Sequence, residues 1–147
     1  MRDELEFKIT SALSKGINSE ADAVLLLSKI RKYIEQNCNN QYANLTFFCN
    51  LALHPTIDRT NNYCKMLSRC TEHEGKFDLR PFFTELKQFL DELKITATIC
   101  DGDDKKRFIN FLSDIYSNTP ITFGEPKIKI TIKKNGNDDS EWLFCEK

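Results

Sequence analysis

The sequence predicts a mainly α-helical single domain over residues 1–147, a bundle of five to six helices (1–118) with a C-terminal β-hairpin (126–147). Three observations predict it. Apolar residues recur at helical spacing through most of the chain, and after Pro126 the period changes to two. Between Gln36 and Ile57 no Asp, Glu, Lys or Arg occurs, although 29% of the chain is charged. A segment that excludes charge so thoroughly belongs at the buried centre of the molecule.

Asp3 to Lys15 reads as the first helix, with Leu5, Ile9, Ala12 and Leu13 on one face and Gly16 as its stop. Ser19 is the expected N-cap of the second, with Asp22 three residues on and near the positive end of the helix dipole. Val24, Leu27, Ile30 and Ile34 line its inner face, and Leu25, Leu26 and Tyr33 widen it. The third helix, about Tyr42 to His54, sets Leu45, Phe48, Cys49, Ala52 and Leu53 on one face. Phe47 and Leu51 lie off that face, so this helix is expected to be surrounded by others. Pro55 disfavours helical geometry at His54 and ends it.

A fourth helix is expected near Thr60 to Glu72, with Tyr63, Met66, Leu67 and Cys70 inward. Asp78 is placed to cap a fifth, striped by Phe82, Leu86, Phe89, Leu90 and Leu93. Lys94 to Cys100 (KITATIC) is ambiguous between strand and helix, and its β-branched residues permit a short strand. Asp101, Asp103 and Asp104 precede a sixth helix with Phe108, Phe111, Leu112 and Ile115 inward. In the tail, Ile128, Ile130 and Ile132 alternate with Lys127, Lys129, Thr131 and Lys133, as a half-buried strand requires. A three-residue loop, Asn135 to Asn137, would set Ile130 opposite Trp142, Ile128 opposite Phe144 and Lys133 opposite Asp139.

Composition narrows the function classes. The net charge is −1 and the pI about 6.1, so no global field drives the chain onto nucleic acid or anionic membrane. The N-terminal run has acidic residues and no continuous apolar core, which reads against a signal peptide, and no segment offers the ~20 apolar residues of a membrane span. Six scattered cysteines without a C-x-x-C fit reduced thiols in a cytoplasmic protein. Gly-rich phosphate loops, G-x-S-x-G and H-E-x-x-H are absent. Lys127, Lys129, Lys133 and Lys134 make a basic strand edge, which reads as solvated rather than as a nucleic-acid surface.

Thr46, Asn50 and His54 fall at i, i+4 and i+8, a polar line along the third helix. His54, followed by Asp58 and Arg59, is a candidate acid/base or anion-binding group, with Asn50 and Asp58 as binding residues, because imidazole changes protonation near neutrality. The structural alternative is a histidine that bonds a carbonyl or Asn50 and positions the turn. Cys49, His54, Cys64, Cys70 and His73 carry zinc-ligand chemistry, yet no pair has the spacing of a finger or knuckle. Buried single thiols are the simpler reading, so no metal or cofactor is expected. Asp101-Gly102-Asp103-Asp104 lacks the glutamate of a calcium loop, having Leu112 at that position, and reads as a helix cap.

Arg69-Cys70-Thr71-Glu72-His73 is similar to the signature of HEPN-type nucleotide-binding and RNA-cleaving domains, in which Arg precedes His by four to six intervening residues. Here three residues intervene, and His54 precedes Arg59 in the reverse order. The resemblance implies, as the enzymatic alternative, Arg69 or Arg59 holding a phosphate and His73 or His54 handling protons. The favoured expectation is a cytoplasmic protein-binding or regulatory domain without catalytic activity. Its partner, another protein or a second copy, would meet the C-terminal hairpin.

Overall fold

Helix ends in this chain are set by local chemistry that can be followed residue by residue. The computed structural model describes residues 2–38, 41–53, 56–57, 76–77, 79–118, 121–123, 128–134 and 142–146. Among them the protein is mainly helical, with five helices. Helix α1 (Arg2–Lys15) stops at Gly16, which takes φ +84° and donates its N–H to the Leu13 carbonyl at 3.1 Å. Helix α2 (Glu20–Asn37) begins at Ser19, whose hydroxyl accepts the Asp22 N–H at 3.1 Å. The Asp22 carboxylate reaches back to the Asn18 N–H at 3.0 Å, one residue earlier than the reciprocal bond of a capping box.

Helix α3 (Ala43–Leu53) is the expected hub. Leu45, Phe47, Phe48, Cys49 and Leu51 are all buried, a set that covers more than one face of the helix. Helix α4 (Arg80–Glu92) corrects one expectation: Leu79 occupies the cap position and makes no side-chain cap bond, and Pro81 stands in the first turn. Proline lowers the need for a cap there, because it brings a helical φ and no N–H to satisfy. Asp78 itself lies outside the described residues, as does the helix expected at Thr60 to Glu72.

The end of α4 resolves the ambiguity of Lys94 to Cys100. Lys94 N–H bonds the Asp91 carbonyl at 3.0 Å and Ile95 N–H bonds the Leu90 carbonyl at 2.9 Å, the paired bonds of a Schellman motif. Lys94, at φ +56°, holds the left-handed position that glycine usually takes. The segment then runs as irregular chain and turns, neither strand nor helix, into α5 (Gly102–Asn118).

The core joins all five helices. Tyr33 and Tyr42 each meet Phe89 edge-on at 5.5 Å, while Phe82 stacks within 5.2 Å of Phe48, 4.9 Å of Phe83 and 6.2 Å of Phe108. Such ring pairs each add roughly 0.5–1.5 kcal/mol beyond the area they bury. The stripe residues Phe108, Leu112 and Ile115 of α5 are buried as expected, joined by Ile109. Leu25, expected to widen the inner face of α2, is instead 51% exposed. Leu26, Leu27 and Ile30 are fully buried and define the inner face, and Leu25 lies on the other side of the helix from Leu27 and Ile30.

Among the described residues five short strands form one sheet in the order β1 (Thr56–Ile57), β3 (Ile121–Phe123), β4 (Ile128–Lys134), β5 (Trp142–Glu146), β2 (Lys76–Phe77). β1 runs parallel to β3 and the other pairs are antiparallel. β4 lies beside α5. The β4–β5 register sets Lys134 opposite Trp142, Ile132 opposite Phe144 and Ile130 opposite Glu146, a slide of four residues along β4 from the expected pairing. The slide is even, so the two-residue alternation accommodates either register; alternation fixes parity, whereas the length of the connection fixes the pairing.

Candidate functional site

The polar line along α3 begins in an interhelical bond. Asn50 turns its Oδ1 to the Arg31 guanidinium of α2, which donates its Nε–H at 2.6 Å. Arg31 also stands 3.8 Å from the Glu35 carboxylate, one turn along its own helix. Thr46 is half-buried on the same side. Asn50, expected as a binding residue, therefore ties α2 to α3.

The other end of α3 is held by a residue far away in sequence. Glu85 of α4 accepts the Asn44 N–H at 3.0 Å and the Leu45 N–H at 3.1 Å through Oε1, and the Asn44 side-chain amide through Oε2 at 2.5 Å. The first turn of α3 contains no acidic residue, and the Tyr42 carbonyl accepts the Thr46 N–H at 2.9 Å, which places an aromatic residue at the cap position. A tyrosine cannot satisfy the orphan N–H groups of a helix start. Glu85 satisfies two of them and brings a negative charge to the positive end of the helix dipole. Nothing local to the α3 sequence announces this, which is why sequence reasoning missed it.

Two thiols sit where they are inert. Cys49 is fully buried, and burial pushes its thiol up to about 12, only partly opposed by the Arg31 guanidinium. Cys100 is pushed up to about 11, chiefly by burial and then by the neighbouring Asp101 carboxylate. Both remain protonated at neutral pH and are poor nucleophiles and poor metal ligands. No group of three or more His, Cys, Asp or Glu residues is arranged to hold a metal ion among the described residues. The Tyr42 hydroxyl is buried with no hydrogen-bond partner among them, and burial followed by the nearby Glu92 carboxylate keeps it protonated far above the ordinary phenol range.

At the start of α5, Asp104 accepts the Thr98 hydroxyl and, at 3.0 Å, Arg107; Arg107 reaches on to the Asn18 side chain at 3.3 Å. The Asp–Gly–Asp–Asp run thus ties the α4–α5 connection and the α1–α2 turn to the first turn of α5. The Thr98 hydroxyl first, and then Arg107, hold the Asp104 carboxyl below its ordinary range. The remaining sequence candidates His54, Asp58, Arg59, Arg69 and His73, with the thiols Cys64 and Cys70, lie outside the described residues.

What the described surface offers instead is a shallow groove between α1 and α2. The two helices run antiparallel: residues 16–19 join them at one end, and the Tyr33 hydroxyl bonds the Glu6 carboxylate at 3.3 Å toward the other. Ser11, Ala12, Lys15, Ile17, Leu25 and Lys29 line the groove. Leu25 is half-exposed, and Phe7, one turn before Ser11 on α1, is 72% exposed. The signal for Phe7 was legible, since it falls off the Leu5–Ile9 stripe, but its exposure marks it only once the neighbouring helices are in place.

No family model matches the chain, and neither a curated protein nor a solved structure matches it. The fold class is a mainly helical domain, and no helix among the described residues is long and apolar enough to cross a membrane.

Proposed function

We propose that this chain is a small protein-binding or regulatory domain that acts by contact rather than by catalysis. The observation that supports it is the pair Phe7 and Leu25, two large apolar side chains on neighbouring helices that the fold leaves in solvent. Leu25 lines the α1–α2 groove and Phe7 lies on the outer face of α1, and exposed apolar side chains of this size are natural contact points for a partner. The polar groups around the α3 hub work in the same direction, because Asn50, Glu85 and Cys49 serve packing and capping.

The C-terminal hairpin over 126–147 is proposed as a further route of contact, by strand addition. Among the described residues β2 pairs with Trp142 and Leu143 of β5. The test is purification of the full chain from the cells that express it, with cross-linking and light scattering. A stoichiometric protein partner or self-association is expected. RNA cleavage by the purified chain, abolished by His54→Gln or His73→Gln, would overturn the non-catalytic reading.

A further inference from the structure

Arg31 is held in one orientation, yet most of its hydrogen-bonding groups are unused. It belongs to α2, and its Nε–H goes to the Asn50 Oδ1 of α3 at 2.6 Å. That bond orients the whole guanidinium, because its N–H groups form one rigid planar fork. The two terminal NH2 groups have no hydrogen-bond partner among the described residues. The Glu35 carboxylate stands 3.8 Å from Nη1, beyond hydrogen-bond length, and Glu35 is 64% exposed, so the pair is weak. The Arg31 side chain is only 31% exposed. Arg107, by contrast, uses both ends of its fork, on Asp104 and on Asn18.

Two further donors stand on the same side of α3. Thr46 and Asn50 are one turn apart, at i and i+4, and both are half-buried. A guanidinium only donates, so the Asn50 oxygen must be the atom turned to it, which leaves the Asn50 NH2 for another acceptor. Neither that NH2 nor the Thr46 hydroxyl has a partner among the described residues. Neither is shut away from solvent, a condition that among those residues belongs to the Tyr42 hydroxyl. The Cys49 thiol, close enough to feel the guanidinium charge, is neutral and does not compensate it. A fixed cationic fork, an amide and a hydroxyl thus present an excess of donors, and the ligand that satisfies them is an acceptor carrying negative charge.

We infer that Arg31, positioned by Asn50 and with Thr46 beside it, binds a phosphate-type oxyanion on the α2–α3 face. The two terminal NH2 groups hold two oxygens side by side, the geometry in which a guanidinium recognises phosphate. The Asn50 amide and the Thr46 hydroxyl serve a third oxygen, which a tetrahedral anion has and a carboxylate lacks. Asn50 fixes the arginine before the ligand arrives, and so removes part of the ordering cost of binding. Glu35, at the rim, competes with the anion for the same fork. The site goes beyond the protein-contact reading and stands or falls without it. Its chemistry is the same whether the anion is free inorganic phosphate or the phosphorylated side chain of a partner protein.

The test is a titration of the nitrogen-15-labelled full chain with inorganic phosphate, followed by proton–nitrogen correlation spectra at constant ionic strength. Sodium chloride and a phosphoserine peptide, with its unphosphorylated form, are the comparisons. The Arg31 Nε–H and Asn50 amide signals are expected to shift together and to saturate with phosphate, and to stay in place with chloride. Arg31→Lys keeps the charge and removes the fork, and should lower the affinity about tenfold. Glu35→Gln removes the competing carboxylate and should raise it roughly twofold. Because Glu35 is exposed and makes no bond to α3, that second variant keeps its meaning even if Arg31→Lys loosens the helix pair.

Tighter binding of the phosphoserine peptide than of inorganic phosphate, with the same signals moving, supports the site and assigns the anion to a phosphorylated partner. Equal affinities support it and assign the anion to free phosphate. Absence of a saturable shift at Arg31, or a response matched by chloride, would overturn the inference. So would an affinity that neither Arg31→Lys nor Glu35→Gln changes. Shifts at Arg31 produced by single-stranded RNA and by neither phosphate nor the peptide would overturn it as well, in favour of a nucleic-acid surface.

Discussion

Removing the Glu85 carboxylate is the sharpest test of how this fold is held. Glu85→Ala leaves the Asn44 and Leu45 N–H groups at the start of α3 without their acceptor and the Asn44 amide without its partner. Loss of a side-chain cap costs about 0.5–2 kcal/mol, and the charge–dipole interaction is worth roughly 0.3–1 kcal/mol more. Glu85 is half-buried, so water recovers part of the loss. The expected destabilisation is about 2 kcal/mol, a fall in Tm of roughly 4–8 °C for a domain of this size. Glu85→Gln keeps an oxygen for the two backbone N–H groups but loses the charge and puts an NH2 where Oε2 accepted the Asn44 amide, so about 1 kcal/mol is expected. Urea unfolding followed by circular dichroism measures both, and native-state hydrogen exchange at Asn44 and Leu45 localises the effect. A Glu85→Ala change within about 0.5 kcal/mol of zero, the range of an ordinary surface substitution, would refute the capping role. So would a Gln variant as unstable as the Ala variant, since that would make the hydrogen bonds irrelevant and the charge everything.

Three other perturbations have definite signs. Lys94→Gly should stabilise by about 0.5–1 kcal/mol in thermal unfolding, because Lys94 is exposed at φ +56°, where a β-carbon is unfavourable; a loss of stability would contradict the Schellman geometry. Asp104 is held below its ordinary carboxylate range, so its contribution is fully present above the unfolded value of about 3.9 and is lost as pH falls through the folded one. Acid unfolding of Asp104→Asn should therefore lack part of the low-pH slope of the natural chain, and identical slopes would exclude the Thr98–Asp104–Arg107 link. Cys49, with its thiol raised to about 12 and fully buried, should resist iodoacetamide at pH 8 until the chain is unfolded in urea, as mass spectrometry of labelled peptides would show. Labelling of Cys49 at the rate of a free thiol would mean that α3 is not the closed hub described above.

The helices were legible because each announces itself within a few residues. Ser19 and Asp22 start α2, Gly16 stops α1, and the Phe82–Leu86–Phe89–Leu90 stripe marks the inner face of α4, all from spacing and from side chains that bond their own backbone. The hub role of α3 was equally visible: Phe47 and Leu51 lie off its main apolar face, and a helix with such a pattern needs neighbours on more than one side. Less legible was whatever depends on a partner distant in the chain. Leu25 looked like any other apolar residue of α2, and only the burial of Leu26, Leu27 and Ile30 showed that it lies off the inner face. Asn50 looked like one element of a polar site near His54, and only the position of α2 made it the acceptor for Arg31. The β4–β5 register slid by four residues because alternation constrains parity and is silent on multiples of two.

By itself, then, the sequence determined the helical class, the order and most ends of the helices, and the charge-free segment that becomes the buried hub. These are short-range consequences of backbone geometry, capping and the exclusion of charge from apolar surroundings. The tertiary structure alone decided which carboxylate caps α3 and which apolar residues stay in solvent. Those outcomes are set by relations between separate segments: Glu85 meets Asn44 and Leu45 only after α4 packs on α3, and Leu25 comes to line a groove with Ser11 and Lys15 only after α1 folds back along α2.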